Sequence, residues 1–106
     1  MPIHLCRLLP PRPTFPSDIT PREAGLMQEH AAYWQELADR GVALVVGPVL
    51  DPAGAWGLAI VDVSDGAAAS ALTDRDPIVR SGSGFRYEIH PIPQAILRTT
   101  HQPHPL

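Results

Sequence analysis

VALVVGPVLDPAGAWGLAIVDV, Val42 to Val63, is the stretch that decides the fold. Val42–Val49 and Trp56–Val63 are β-branched apolar runs of strand length, and the intervening LDPAGA carries the proline and glycine of a turn. Two such runs so close together predict an antiparallel hairpin in the middle of the chain. The elements on either side of it then set the topology.

Upstream lies TPREAGLMQEHAAYWQEL, Thr20 to Leu37. Thr20 and Glu23 have the spacing of a capping box, with Pro21 at the first helical position, and Gly41 supplies a left-handed terminator. The predicted helix is Pro21 to Arg40. At roughly 100° per residue, Leu26, Met27, Ala31, Tyr33, Trp34, Leu37 and Ala38 share one side, opposite Gln28, Glu29, Glu36 and Asp39. Before it, Ile3–Leu9 reads as a strand ending at Pro10, followed by PPRPTFPSD, whose prolines exclude helix and central strand. After the hairpin, Ser64 is the expected cap of a second helix through SDGAAASALTD, which must stop near Asp76 because Pro77 follows. GFRYEIHPI, Gly84–Ile92, alternates Phe85, Tyr87 and Ile89 with Arg86, Glu88 and His90, the pattern of a half-buried strand.

The order is βαββαβ, so the expected fold is α+β and ferredoxin-like: an antiparallel sheet with two helices on one face. Val42–Val49 is apolar at both alternating phases, as a strand buried on both sides would be. The chain has nothing left to cover the second face. A second copy is expected to do so, giving a homodimer packed sheet to sheet.

At 106 residues the chain is sized for one domain, expected over 1–97, with an aperiodic, proline-containing tail over 98–106. With 44% hydrophobic and 18% charged residues, it is neither disordered nor membrane-spanning in composition. A net charge of −3 without a basic cluster argues against nucleic-acid binding. The lone Cys6 cannot form an internal disulfide, and no signal peptide precedes the first strand, so a cytoplasmic location is expected.

Chemistry centres on His30, a titratable ring on the apolar side of the long helix, one turn from Leu26 and from Trp34. It is either a core histidine satisfied by a backbone carbonyl or a general base. Asp76 is the candidate partner, because the end of the second helix packs beside the first in this topology, and a carboxylate there would fix the histidine tautomer. Asp76 followed by Pro77 is equally an N-cap for a short turn through Ile78, Val79 and Arg80, closed at Gly82; its two oxygens allow both roles. Arg12 and Phe15, on the proline-rich loop, are candidate ligand-binding residues: the guanidinium for a carboxylate or enolate, the ring as a cover. Trp34 is a candidate pocket wall as well as a core residue. His4, His90, His101 and His104 lack metal-ligand spacing, so no metal site is expected. The chain has no phosphate loop, dinucleotide fingerprint or nucleophile elbow, and no cofactor is expected.

EHAAYWQELADRGVALVVGPV, DPAGAWGLAIVDV and DRDPIVRSGSGFRYEIHPI, taken in order, resemble the YciI-like (YCII-related) family. A helix histidine, a Gly-Pro at the end of the second strand and an Asp-Pro after the second helix recur there in this order. The resemblance covers Thr20 to Ile92 and implies the fold of dimeric α+β barrels. It also implies a histidine–aspartate dyad at His30 and Asp76. Family members include a dehydrochlorinase of chlorinated aromatics, and related barrels include muconolactone isomerases. The expected activity is therefore a cofactor-independent lyase or isomerase acting on a small anionic or aromatic molecule. The alternative is a dimeric ligand-binding or accessory module, a role suggested by YciI-related proteins associated with sigma-factor systems.

Overall fold

The computed structural model of the chain describes residues 2–98. Its elements are β1 (Ile3–Leu9), α1 (Pro21–Asp39), β2 (Ala43–Val49), β3 (Trp56–Asp62), α2 (Gly66–Asp74), α3 (Pro77–Arg80) and β4 (Arg86–Ile92). The strands form one antiparallel sheet in the order β2-β3-β1-β4. This is the α+β, ferredoxin-like arrangement expected from the element order. No helix among the described residues is long and apolar enough to cross a membrane. The expected tail, apart from residue 98, lies outside the described residues.

Local chemistry explains the boundaries. The Thr20 hydroxyl accepts from the Glu23 amide, and the Glu23 carboxylate accepts from the Thr20 amide, closing the capping box of α1. Gly41, at φ 78°, ends the helix in the left-handed conformation that costs glycine least. The cap of α2 is Asp65 rather than Ser64: its carboxylate accepts from the Ala68 amide at 2.8 Å. A carboxylate at that position also favours the positive end of the helix. Asp76, in extended conformation before Pro77, ends the α2 region and caps α3.

Paired residues of an antiparallel ladder share a face. Cys6, Ala59 and Ile89 are partners across three strands, as are Leu8, Gly57 and Tyr87. These face the helices, where Cys6, Ala43, Ala59, Val61 and Ala69 pack with Trp34 and Leu37. A second cluster, Leu8, Ile78 and Phe85, joins α3 to the sheet. Gly57 makes room for its cross-strand neighbour: a Cβ there would stand 3.1 Å from that of Leu8.

Edge strand β2 departs from the expectation of burial on both sides. Val46 pairs with Ala59 and faces the helix layer, whereas Val45 pairs with Ile60 and faces away from it. Both are open in the chain by itself, Val45 to 55% of its surface. Leu44 marks a register shift between Ala43 and Val45. Ala31 and Ala38 of α1 are likewise exposed rather than core. Their small side chains leave a gap between helix and strand, which the buried Trp34 of the same helix borders without filling.

Candidate active site

The gap is a cavity of about 590 Å³ bounded by α1, β2, β3 and the proline-rich loop. Met27, Ala31 and Trp34 wall it from the helix and Val46 from β2, and Phe15 and Phe85 are also on its lining. The two phenyl rings meet edge to face, with centroids 5.2 Å apart. His30 opens onto the same cavity.

His30 and Asp76 come from elements far apart in sequence. His30 is positioned by the regular turns of α1, and Asp76 by the extended backbone that Pro77 imposes. The His30 Nδ1–H donates to Asp76 Oδ2 at 2.6 Å, because the carboxylate can only accept. That fixes the tautomer and leaves the Nε2 lone pair without a protein partner among the described residues. The His30 side chain is 14% exposed and that of Asp76 is fully buried.

Asp76 is held from every side. Trp34 Nε1–H donates to the same Oδ2 at 2.8 Å, and the Tyr87 hydroxyl donates to it at 2.6 Å. The other oxygen, Oδ1, accepts from the Ile78 amide at 3.0 Å, which is the helix cap anticipated for this residue. Burial pushes the Asp76 carboxyl upward, but the hydrogen bonds from His30 and Tyr87, the charge of His30 and the Ile78 amide outweigh it and hold the group below its ordinary value. Tyr87 moves strongly upward through burial and the adjacent Asp76 charge, so it stays a protonated donor. Its hydroxyl also accepts from Trp34 Nε1 at 3.0 Å, closing a ring of contacts.

Arg12 stands elsewhere. Nε faces both carboxylate oxygens of Asp18 at 2.9 and 3.0 Å, and its two terminal nitrogens reach the two oxygens of Glu23 at 2.7 Å each. One of them also donates to the Asp18 carbonyl at 3.0 Å. The guanidinium is thus committed to tying the proline-rich loop to the start of α1, outside the large cavity. Phe15 and Trp34, by contrast, do line it. Asp74, two residues before Asp76, is exposed and takes no part in this arrangement. Tyr87 went unrecognised as a site residue. Its signal was its place in phase with Phe85 and Ile89: a tyrosine on a buried face needs a partner for its hydroxyl.

The YCII-related domain family matches residues 5–93. The chain belongs to the YCII-related family. No match was found among curated proteins. The matched span runs through β1 to β4, so the YCII-related domain includes every residue of the His30–Asp76–Trp34–Tyr87 arrangement. Among its described residues, no group of three or more His, Cys, Asp or Glu side chains is placed to hold a metal ion.

The Arg12–Glu23 contact gives the YCII-related domain a defined acid response. Hydrogen bonds from Arg12, then from the Thr20 amide, lower Glu23 from 4.5 to about 2. A carboxyl depressed in the folded state contributes stability that is complete above its ordinary value and is lost as pH falls through the depressed one. Glu23→Gln is therefore expected to unfold at a lower temperature than the parent protein at neutral pH. Its deficit should shrink as pH falls from 4.5 to about 2. Thermal unfolding followed by circular dichroism across that window checks this; a constant deficit would show that the ion pair contributes nothing.

Proposed function

We propose that this protein is a cofactor-independent lyase or isomerase of a small molecule, with His30 as the general base. The observation that carries the reading is the orientation of the imidazole: Nδ1–H is tied to a buried carboxylate, and the opposite nitrogen is left for a cavity large enough for a small ligand. In the reaction, His30 Nε2 takes a proton from a carbon or oxygen acid, and the electron pair stays on the substrate. In a lyase that pair expels a leaving group from the adjacent carbon; in an isomerase the proton returns at another carbon. Asp76 steadies the resulting imidazolium, while Trp34 and Tyr87 keep Asp76 in place. Arg12 has no part in it, because its donors are spent on Asp18 and Glu23. The test is turnover of lactones and of chlorinated or hydroxylated aromatics by the parent protein and by His30→Gln.

A second reading, a binding or accessory module without turnover, is favoured by one observation. The four donors on Asp76 also describe a purely structural buried carboxylate. Turnover of no member of the panel, with binding retained, would select it.

In either case we propose a homodimer. Val45, Leu58, Ile60, Leu5 and Leu9 lie on the sheet face opposite the helices, which they share with Arg7, Arg86 and Glu88; their apolar area is what a second copy would bury. The parent protein is expected to sediment as a dimer at micromolar concentration and Ile60→Glu as a monomer. A monomeric parent would sink the proposal. The single, buried Cys6, its thiol pushed up to about 11 by burial, suits a reducing, cytoplasmic setting.

A further inference from the structure

The geometry points to a substrate class: an uncharged, predominantly apolar molecule with a single acidic or hydrogen-bonding group, to the exclusion of carboxylates and phosphates. This deepens the proposed function and rests on it in one respect, that the cavity beside His30 is where the ligand sits.

Among the described residues, no lysine, arginine, aspartate or glutamate side chain lines the cavity. Its polar side chains are few and mostly engaged. The Tyr87 hydroxyl and the Trp34 indole N–H both point at Asp76. Gln35 donates to Asp39 at 2.9 Å, and the Trp56 N–H lies 3.4 Å from Asp51. Two guanidiniums lie against rings of the lining without lining it themselves: Arg12, 5.9 Å from the Phe15 ring, is closed on Asp18 and Glu23, and Arg7, 4.8 Å from the Trp56 ring, faces Glu88 at 3.4 Å. His30 Nε2 remains as the one nitrogen offered to a ligand.

An anion entering such a space would shed its water and find no cation. That cost is several kcal/mol for a carboxylate among apolar walls. A neutral ligand avoids it, and its apolar body is matched by Met27, Ala31, Val46 and the Phe15–Phe85 pair. The volume is within the range of small-molecule sites, roughly 300–1,000 Å³. With no charged side chain on the lining, the acid that His30 deprotonates must delocalise its own charge. A phenol or a conjugated ketone spreads that charge over an extended π system; a simple ester confines it to one enolate unit and is a far weaker acid.

The test is isothermal titration of the full chain with 2-naphthol and with 3-hydroxy-2-naphthoate, which differ by one carboxylate. The parent protein is expected to bind the naphthol about a hundredfold more tightly or better. His30→Gln should keep that preference, since the lining carries it. Val46→Arg, at an exposed position on the wall, should raise affinity for the naphthoate, and Ala31→Trp should abolish binding of the naphthol by filling the mouth. Equal or tighter binding of the naphthoate by the parent overturns the inference, as does naphthol binding that Ala31→Trp leaves unchanged. The two readings fail separately. If the preference holds but His30→Gln turns over neutral aromatics as fast as the parent, the base assignment falls and the selectivity stands.

Discussion

Asp76→Ala is expected to lower the free energy of unfolding by about 3–5 kcal/mol, the range seen when one partner of a buried polar or charged arrangement is removed. The carboxylate is fully buried and accepts from His30, Trp34, Tyr87 and the Ile78 amide. Without it, the Tyr87 hydroxyl and His30 Nδ1–H lose the buried acceptor they share, and α3 loses its cap. Trp34 is better placed, because the Tyr87 oxygen can still accept from its indole. Domains of this size are stable by about 5–15 kcal/mol, so the variant should lie close to the threshold of folding. Asp76→Asn is the discriminating companion. One amide oxygen can serve either the three-donor cluster or the Ile78 amide, and the NH2 group then faces a donor. It should also destabilise, by less than alanine because it leaves no cavity. Urea unfolding measures both. A loss below about 1 kcal/mol for Asp76→Ala, the net worth of a single ordinary hydrogen bond, would mean that this network does not hold the fold.

The second large effect concerns chemistry. His30→Gln is expected to slow proton abstraction by about 10²–10⁴-fold, the usual contribution of a positioned acid or base. The glutamine amide keeps an N–H for Asp76, so the unfolding midpoint should move far less than in Asp76→Ala. What it lacks is a basic nitrogen facing the cavity. Exchange of acidic ligand hydrogens with deuterated solvent, followed by NMR, reads the step directly and needs no knowledge of the product. Equal exchange in a folded variant removes His30 as the base. Loss of exchange together with loss of fold in His30→Gln would instead assign the histidine to the structure.

Element order was legible because its signals are local. The capping box at Thr20–Glu23, the Gly41 terminator and the proline and glycine turn after β2 each act within a few residues, and each has its expected role in the fold. The α2 cap lies one residue beyond the expected Ser64, since Ser64 and Asp65 are both competent caps and only the backbone conformation chooses between them. For Asp76, the cap on α3 was readable from Asp-Pro alone. Its three side-chain donors were not equally so. His30 is marked by its place on an apolar helix face, whereas the sequence marks Trp34 only as a pocket wall or core residue and Tyr87 only as an inward-phase strand residue.

Arg12 shows where local reading stops. A guanidinium among prolines has no mark in the sequence that separates a ligand-binding arginine from one paired with its own protein. Folding brings the first turn of α1 against the loop, and there Glu23, already the reciprocal acceptor of the capping box, has an oxygen for each terminal nitrogen. The cavity is of the same kind. Ala31 and Ala38 have the hydrophobicity of core positions and the periodicity of a buried face, yet they border open space.

The sequence by itself thus determined the strands and helices, their βαββαβ order and the family, because periodicity, caps and turn residues act over short stretches of chain. The tertiary structure alone decided that Arg12 is spent on Glu23 and Asp18, that Tyr87 and Trp34 share the carboxylate of Asp76, and that the space beside His30 lacks charge. Those outcomes depend on the directions taken by side chains brought together from distant elements, which spacing along the chain does not encode.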